Sequence, residues 1–580
     1  MGTLMVFSLF AAQLLRIQGF DAASVSAQAL DSRLHEQTIP ALRGEIVSSD
    51  GTVLASSVTR YDITDDPTAT VTYTKTVNGS LQNVGLAGAA QDIATAINGQ
   101  SAPILAAMQS AYAVKSRFTY LAKNVTPQQW AAVNALGIPG IYSQSTQQRD
   151  YPQGTALAPL LGWVDASGQP GGGVELQEQA ALNGKPGVHL YEQSPSGAQI
   201  ATGDNKDTPA VNGGTVELTI NNNLQWYAQN ALAAAVNKYG ALSGDVVVMD
   251  KNQNLLAVAS YPSFDNNDMA EATGTTFTSR PFTESYEPGS TSKVITMAAL
   301  LSQGVATPTT PVVVPNTLAR AGTIFHDAEP HPTEYLTLSG VLAQSSNIGT
   351  MEEGGKLPAS TIYSYMKKFG LGAPTASGYP GESAGQLDPY QDWSGTQRYT
   401  VLFGQGLAIT AVQEASIFAT IANGGVKEPV KLVKGVQTAK GFQPAATGSS
   451  ERVISQSVAT ELTKMLEGVV SKTGTAEAAD VAGFSVAGKT GTANRYDQQL
   501  GRYNGYTGSF IGFAPANDPQ YIVSVTLQRP TKGSFYGGTV AAPTFSQIMT
   551  YALQQGKVPP TGSQAAPYPL TFDPSITSKK

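Results

Sequence analysis

The sequence predicts a mixed α/β fold: two folded regions behind an apolar N-terminal segment. Three observations carry that prediction. Hairpin patterns stand near both ends of residues 216–555, one around Asp250–Asn254 and one around Ala514–Pro519. Text of helical period fills the interval, so the terminal strands are expected to meet in one sheet flanked by helices. Residues 18–215 read as a separate α+β region. At about 100–200 residues per domain, 580 residues suit a division of this kind.

Taken in order, Met1–Leu15 carries no charge and Arg16 ends the run. A membrane span needs about 20 residues, and no basic stretch precedes this one. A cleaved signal has a small-residue site in Val25-Ser26-Ala27 but lacks a basic start. A buried core helix is the third reading. The expectation is a single-span membrane anchor over residues 1–17, shortened at its start, with the rest of the chain outside the cytoplasm. Residues 18–40 read as an Ala/Gln-rich helix. Arg43–Val47 and Thr52–Leu54 flank Asp50-Gly51, a hairpin turn signal. Residues 61–145 form a Thr/Ala-rich insert with helical stretches at 86–97 and 127–136. A linker rich in Gly, Asn and Asp follows residue 187 and runs to Gly213-Gly214. Asn221 is placed to cap a helix over 222–237. Asp245–Met249 and Leu255–Ser260 read as one hairpin, Ser509–Phe513 and Tyr521–Leu527 as the other. Residues 556–580, rich in Pro, Ser and Thr, read as a flexible tail.

Composition removes several function classes. Charged residues are 13 % of the chain, against about 25 % in an average soluble protein. The net charge is −7 with no basic block, which argues against a nucleic-acid binder. The absence of cysteine excludes disulfides, thiolate metal sites and cysteine nucleophiles. The four histidines, His35, His189, His326 and His331, leave few candidates for a histidine triad or metal site. No cofactor or metal is implied, and acid–base work is expected from other groups.

Three short motifs carry chemistry. In Glu287-Pro288-Gly289-Ser290-Thr291-Ser292-Lys293, Pro-Gly punctuates and a helix is expected to start near Ser290. Ser290 and Lys293 then share a face. From Val294 the helix is apolar almost all round and should be buried. Desolvation favours a neutral lysine able to accept a proton, and a helix start stabilises an oxyanion. Those are the needs of a serine nucleophile with a lysine base. Alone, the pattern reads more readily as an N-cap with a surface lysine; Ser364-Tyr365-Met366-Lys367 is a decoy of the same spacing, mid-helix. In Ser345-Ser346-Asn347, Ser345 could pass a proton and Asn347 offers donor and acceptor, although a loop or cap is the plainer reading. In Gly488-Lys489-Thr490-Gly491-Thr492 a strand leads into a cation, two hydroxyls and a glycine, groups suited to a substrate carboxylate. A near copy, Ser471-Lys472-Thr473-Gly474-Thr475, lacks the strand and is read as a loop.

In this order Ser-x-x-Lys, Ser-x-Asn and Lys-Thr-Gly resemble the signature of penicillin-binding proteins and serine β-lactamases. Longer segments resemble the class B, monofunctional penicillin-binding proteins. They include RGEIVSSDGTVLA near residue 43, RDYPQG at 149–154 and GVELQEQAALNGKPG at 173–187. VELTINNNLQ at 216–225, SSNIGT at 345–350, FGQGLAITAVQ, FIGFAPANDPQY and GGTVAAPTF continue the series. The resemblance covers nearly the whole chain, most weakly 61–145 and beyond 555, and is greatest to the septal, cell-division type. It implies a penicillin-binding/serine β-lactamase-like transpeptidase domain over 216–555, with a five-stranded antiparallel sheet. An elongated α+β pedestal over 18–215 would precede it, and 556–580 would be tail. Ser292 stands where the family usually has an apolar or aromatic residue; altered packing is expected, not lost chemistry.

The resemblance also implies roles. The donor would be a peptidoglycan stem peptide ending in D-Ala-D-Ala, the acceptor an amine of a second stem, and β-lactams would acylate Ser290. Lys293 would be the general base, Ser345 the proton relay, Asn347 the holder of the substrate amide and Lys489 an electrostatic anchor. Thr490, Gly491 and Thr492 would bind substrate, with Thr492 sharing the oxyanion hole. A membrane glycan polymerase and division proteins are the implied partners. The alternatives are a D,D-carboxypeptidase or β-lactam hydrolase, and a non-catalytic scaffold.

Overall fold

From its second residue the chain is helical. Gly2–Leu15 continues through wider turns to Phe20, giving 19 exposed residues long and apolar enough, by length and composition, to cross a membrane. The computed structural model describes residues 2–31, 33–165, 167–192, 203, 205–272, 274, 276–497, 500–562 and 567–575. They divide into two bodies, one of Met1–Glu45, Ser56–Asp150 and Ala180–Thr215, the other of Ile46–Ala55, Tyr151–Gln179 and Val216–Lys580.

In the first body the helix expected over 18–40 stops early: Ala22–Asp31 is helical, but Leu34–Ile39 is a strand. It pairs antiparallel with Gly187–Glu192, from Leu34↔Glu192 to Ile39↔Gly187. A partner strand satisfies the backbone there, and local propensity is a weak prior against it. The same pairing corrects the expected linker after residue 187, which holds Gly187–Glu192 and Lys206–Thr208 as paired strands; residues 193–202 and 204 lie outside the described residues. The Thr/Ala-rich insert is bounded by strands that pair from Ser56↔Asp150 to Asp65↔Ile141. Between them lie helices Gly85–Ile97, Ser101–Ala113 and Pro127–Asn134, packed on a core that includes Ile93, Ile104, Met108 and Val133. Thr126 and Gln129 form a reciprocal cap on the third. The middle helix, Ala-rich and uncharged, goes beyond the stretches that the sequence predicts.

The second body is built on the expected five-stranded antiparallel sheet. Its strands are β1 (Ser243–Asp250), β2 (Leu255–Tyr261), β3 (Ala487–Asp497), β4 (Arg502–Ala514) and β5 (Tyr521–Gln528), in the spatial order β2-β1-β5-β4-β3. Asp245 of β1 lies opposite Thr526 of β5, so the two distant hairpins share one sheet. Val246, Val248, Val523 and Val525 are all buried, as apolar strands covered on both faces should be. The helices used below are α1 (Asn222–Tyr239), α2 (Lys293–Ser302), α3 (Leu338–Ala343), α4 (Asn347–Gly354), α5 (Ala411–Ala422), α6 (Gln456–Val470) and α7 (Ala542–Gln555). The Asn221 side chain accepts from the Leu224 N–H and caps α1 at 3.0 Å. Tyr227 of α1 stacks on Tyr551 of α7 at 4.1 Å. Helix α5 packs on β1, β4 and β5. Strand β3, at the sheet edge, carries Lys489–Thr492.

Two expectations change in this body. Residues 151–179, assigned to the N-terminal region by sequence, pack with the second body. Gln225 of α1 donates to the Ala156 carbonyl at 2.8 Å, and Asn267 donates to the Tyr151 carbonyl at 2.9 Å. These amides need backbone partners that this segment supplies. The expected flexible tail is held at Pro569–Phe572. Thr337 N–H donates to the Leu570 carbonyl at 3.0 Å, and Phe572 N–H to the Tyr335 carbonyl at 3.0 Å, so an exposed strand edge is capped. Residues 563–566 and 576–580 lie outside the described residues.

Candidate active site

Pro288 leads into a tight turn, Gly289–Ser292, and α2 starts only at Lys293. The sequence placed the helix start at Ser290; the tighter turn stacks residues three apart, Ser290 over Lys293, more directly than an α-helix would. Gly289 has φ +56°, and a Cβ there would come within 3.1 Å of the Thr492 carbonyl and the Ala493 Cβ. Its N–H donates to the Gly404 carbonyl at 3.0 Å. Ser290 is half-buried, whereas every residue from Lys293 to Leu301 is buried.

Ser345 lies between α3 and α4 with φ +62°, a left-handed conformation uncommon for a residue with a Cβ and frequent at functional sites. Lys293 Nζ donates to the Ser345 carbonyl and lies 3.4 Å from Ser345 Oγ. Lys489 Nζ reaches the same Oγ at 2.9 Å, and the Thr490 carbonyl and hydroxyl at 3.1 Å each. Three predicted residues, from α2, the α3–α4 junction and edge strand β3, thus converge on one hydroxyl.

Both lysines are wholly buried. Burial pushes Lys293 down to about 7, opposed by the charge of Asp327. Burial, with Lys293 adding to it, holds Lys489 well below the usual lysine range. Two ammonium groups on one hydroxyl in a dry site repel, so the pair is held short of full protonation near neutral pH.

Asn347 opens α4, half-buried, its amide donating to the His326 carbonyl at 3.4 Å. Its N–H is held by Asp327, which also accepts from Ile348 N–H at 3.0 Å and from Ser346 Oγ at 2.7 Å. A carboxylate at a helix start satisfies donors that the helix leaves open. His331 Nε2 lies 3.2 Å from the same carboxylate. Sequence reasoning missed Asp327: it stands some twenty residues before the motif it braces, and no local pattern joins them.

On β3, Thr490 is buried and Thr492 Oγ1 accepts from Gly537 N–H at 3.1 Å. A Cβ on Gly491 would come 2.2 Å from Ser509 Oγ and 2.9 Å from the Pro288 carbonyl. Glycine therefore lets β3 approach the turn carrying Ser290. The near copy at 471–476 is a loop, and its Thr475 Oγ1 lies 2.9 Å from Thr490 Oγ1. Ser364 and Lys367 are both exposed, on the helix Ala359–Lys368. Ser292 is buried against Gly404, and its Oγ has no hydrogen-bond partner.

A serine three residues before a desolvated lysine, a second serine shared by two lysines and an edge strand offering backbone N–H groups are the parts that acyl transfer needs. The penicillin-binding protein transpeptidase domain family matches residues 244–550, and the penicillin-binding protein dimerisation domain family matches residues 38–218. The chain belongs to the penicillin-binding transpeptidase family. It is 30 % identical to penicillin-binding protein PbpB of Mycolicibacterium smegmatis, over 98 % of this chain and 91 % of that protein. It is 32 % identical to the peptidoglycan D,D-transpeptidase FtsI of Escherichia coli, over 77 % of this chain and 74 % of that one. A solved peptidoglycan synthetase from Bifidobacterium adolescentis superposes with a TM-score of 0.73 at 30 % identity, covering 93 % of this chain and all of that one. Penicillin-binding protein 3 of Mycobacterium tuberculosis, complexed with aztreonam, gives 0.70 at 26 %, with the same coverage.

Proposed function

We propose that this protein is a peptidoglycan D,D-transpeptidase that cross-links stem peptides through a Ser290 acyl-enzyme, at the division septum, and is acylated there by β-lactams. The observation that carries the reading is the meeting of Lys293 and Lys489 at Ser345 Oγ beside the turn that presents Ser290. Lys293, depressed by burial, takes the Ser290 proton as Oγ attacks the penultimate D-Ala carbonyl. The N–H groups of Ser290 and Thr492 stabilise the oxyanion. Ser345 passes the proton to the departing D-Ala amine, and Lys489 carries the charge that the buried pair retains when Lys293 is neutral. Asn347 holds the donor's amide, with Thr490 and Thr492 beside its carboxylate and Gly491 leaving them room. An amine of a second stem then takes the acyl group and frees Ser290. No metal or cofactor enters these steps.

The N-terminal helix anchors the chain in the membrane, with the catalytic body outside the cytoplasm and a glycan polymerase and division proteins as partners. Residues 18–215, apart from 46–55 and 151–179, act as the pedestal, and 216–555 with those two segments as the transpeptidase domain. Fluorescent penicillin should label the wild type and not Ser290→Ala; labelling that persists in the alanine variant overturns the assignment. Product analysis with and without an acceptor amine separates transfer from the hydrolysis of a carboxypeptidase.

A further inference from the structure

Beneath the nucleophile lies a buried carboxyl group that the chemistry above does not use. Glu414, on α5, is 1 % exposed. Its Oε1 lies 2.5 Å from Thr291 Oγ1, the hydroxyl of the residue after Ser290. Its Oε2 lies 2.8 Å from the Tyr286 hydroxyl and 3.2 Å from Ser524 Oγ on β5. All three of these partners are uncharged hydroxyls.

Counting protons favours one form of this group. Thr291 Oγ1 has one proton and two oxygens in reach: Glu414 Oε1 and the Pro288 carbonyl at 3.0 Å. Were Glu414 ionised, both would be acceptors, and the one proton would have to be shared or leave one contact with no proton between its oxygens. A neutral acid removes the conflict. Oε1–H donates to Thr291, Thr291 donates to the Pro288 carbonyl, and Oε2 accepts from Tyr286 and Ser524. Tyr286 in turn lies 3.1 Å from Thr526 Oγ1, which can donate to it. An ionised carboxylate with no cation against it among the described residues is also the costlier form to bury.

We propose that Glu414 is a neutral carboxylic acid whose hydrogen bond to Thr291 sets the Pro288–Ser292 turn and thereby aims Ser290. It is a positioning residue; it does not touch substrate. The inference rests on the reading of Ser290 as the nucleophile. The other charged or titratable groups on this side are Tyr286 and, beyond it, Asp245, which faces Arg280 at 3.6 Å and Glu284; burial pushes Tyr286 and Asp245 towards their neutral forms, with Arg280 opposing it at Asp245, and pushes Glu414 the same way.

The test uses the full-length chain. Glu414→Gln can donate to Thr291 and accept from Tyr286 and Ser524, so it should keep the rate constant for acylation by fluorescent penicillin. Glu414→Leu, of similar size, should lose about 10²-fold in that constant, the scale of a misplaced reacting atom, with the preceding non-covalent affinity unchanged. Thr291→Val should reproduce the loss if the leucine variant does not fold. Infrared difference spectroscopy should show the carbonyl band of a protonated carboxyl group in wild type, lost in Glu414→Gln and shifted in Thr291→Val. A glutamine variant as slow as the leucine one, or a band that reports carboxylate, overturns the proposal. A wild type that takes no penicillin overturns the reading of Ser290 instead, and the infrared band still tests Glu414.

Discussion

Ser345 shows how much one residue can organise. Its left-handed backbone turns its carbonyl to Lys293 and its hydroxyl to Lys489, so helix α2 and edge strand β3 meet on a single residue. The candidate residues can be picked from spacing alone because short motifs fix which side chains are neighbours within one turn. Their charge states cannot, because desolvation depends on what folds over them. In the proposed role of base Lys293 must be neutral, and burial brings it to about 7, so acylation should rise with pH through that region. Asp327 favours the charged lysine; removing its charge lowers the lysine further. Asp327→Asn should therefore move the rising limb to lower pH, measured as the rate of penicillin acylation against pH. A limb that stays in place or moves up would contradict the coupling.

At the scale of elements, the site is a turn clamped between strand β3 and the rest of the body. Gly491 and Gly289 make that clamp possible, since a Cβ at either meets the other's segment. Gly491→Ala should push β3 away from the Pro288 carbonyl and cut acylation by about 10²-fold, with the Lys489–Ser345 contact loosened. Acylation within a few-fold of wild type would show that Ser509 yields instead. Helices and hairpins with strong local signals are readable: Asn221 as a cap, Asp50-Gly51 as a turn, and the strand into Lys489. The segments that fail are those whose state depends on a partner. Leu34–Ile39 carries a helical composition and becomes a strand because Gly187–Glu192 lies beside it.

For the whole molecule, the sheet that carries the site is assembled from strands far apart in sequence, β1 and β2 near residue 250 and β3 to β5 after residue 486. Its central pair, β1 with β5, is buried on both faces, so such a sheet forms cooperatively or not at all. The N-terminal helix stands outside this cooperativity: Gly2–Phe20 buries nothing in the folded bodies. Deleting residues 2–20 should release the protein from the membrane fraction and leave the penicillin acylation rate unchanged. A chain that sediments as before, or one that loses acylation, would show that the helix serves another purpose.

The sequence by itself determined the chemistry available: no thiol, few histidines, and serine, lysine and asparagine in three spaced motifs. It also determined the helices and hairpins, because those follow from period, caps and turn residues over short range. Only the tertiary structure decided that Ser345 receives both lysines, that Asp327 braces Asn347 and bears on Lys293, and that Glu414 lies against the turn that carries Ser290. Those facts join residues tens to hundreds of positions apart. Proximity of that kind is set by packing, and packing also sets the dielectric that decides which group holds a proton.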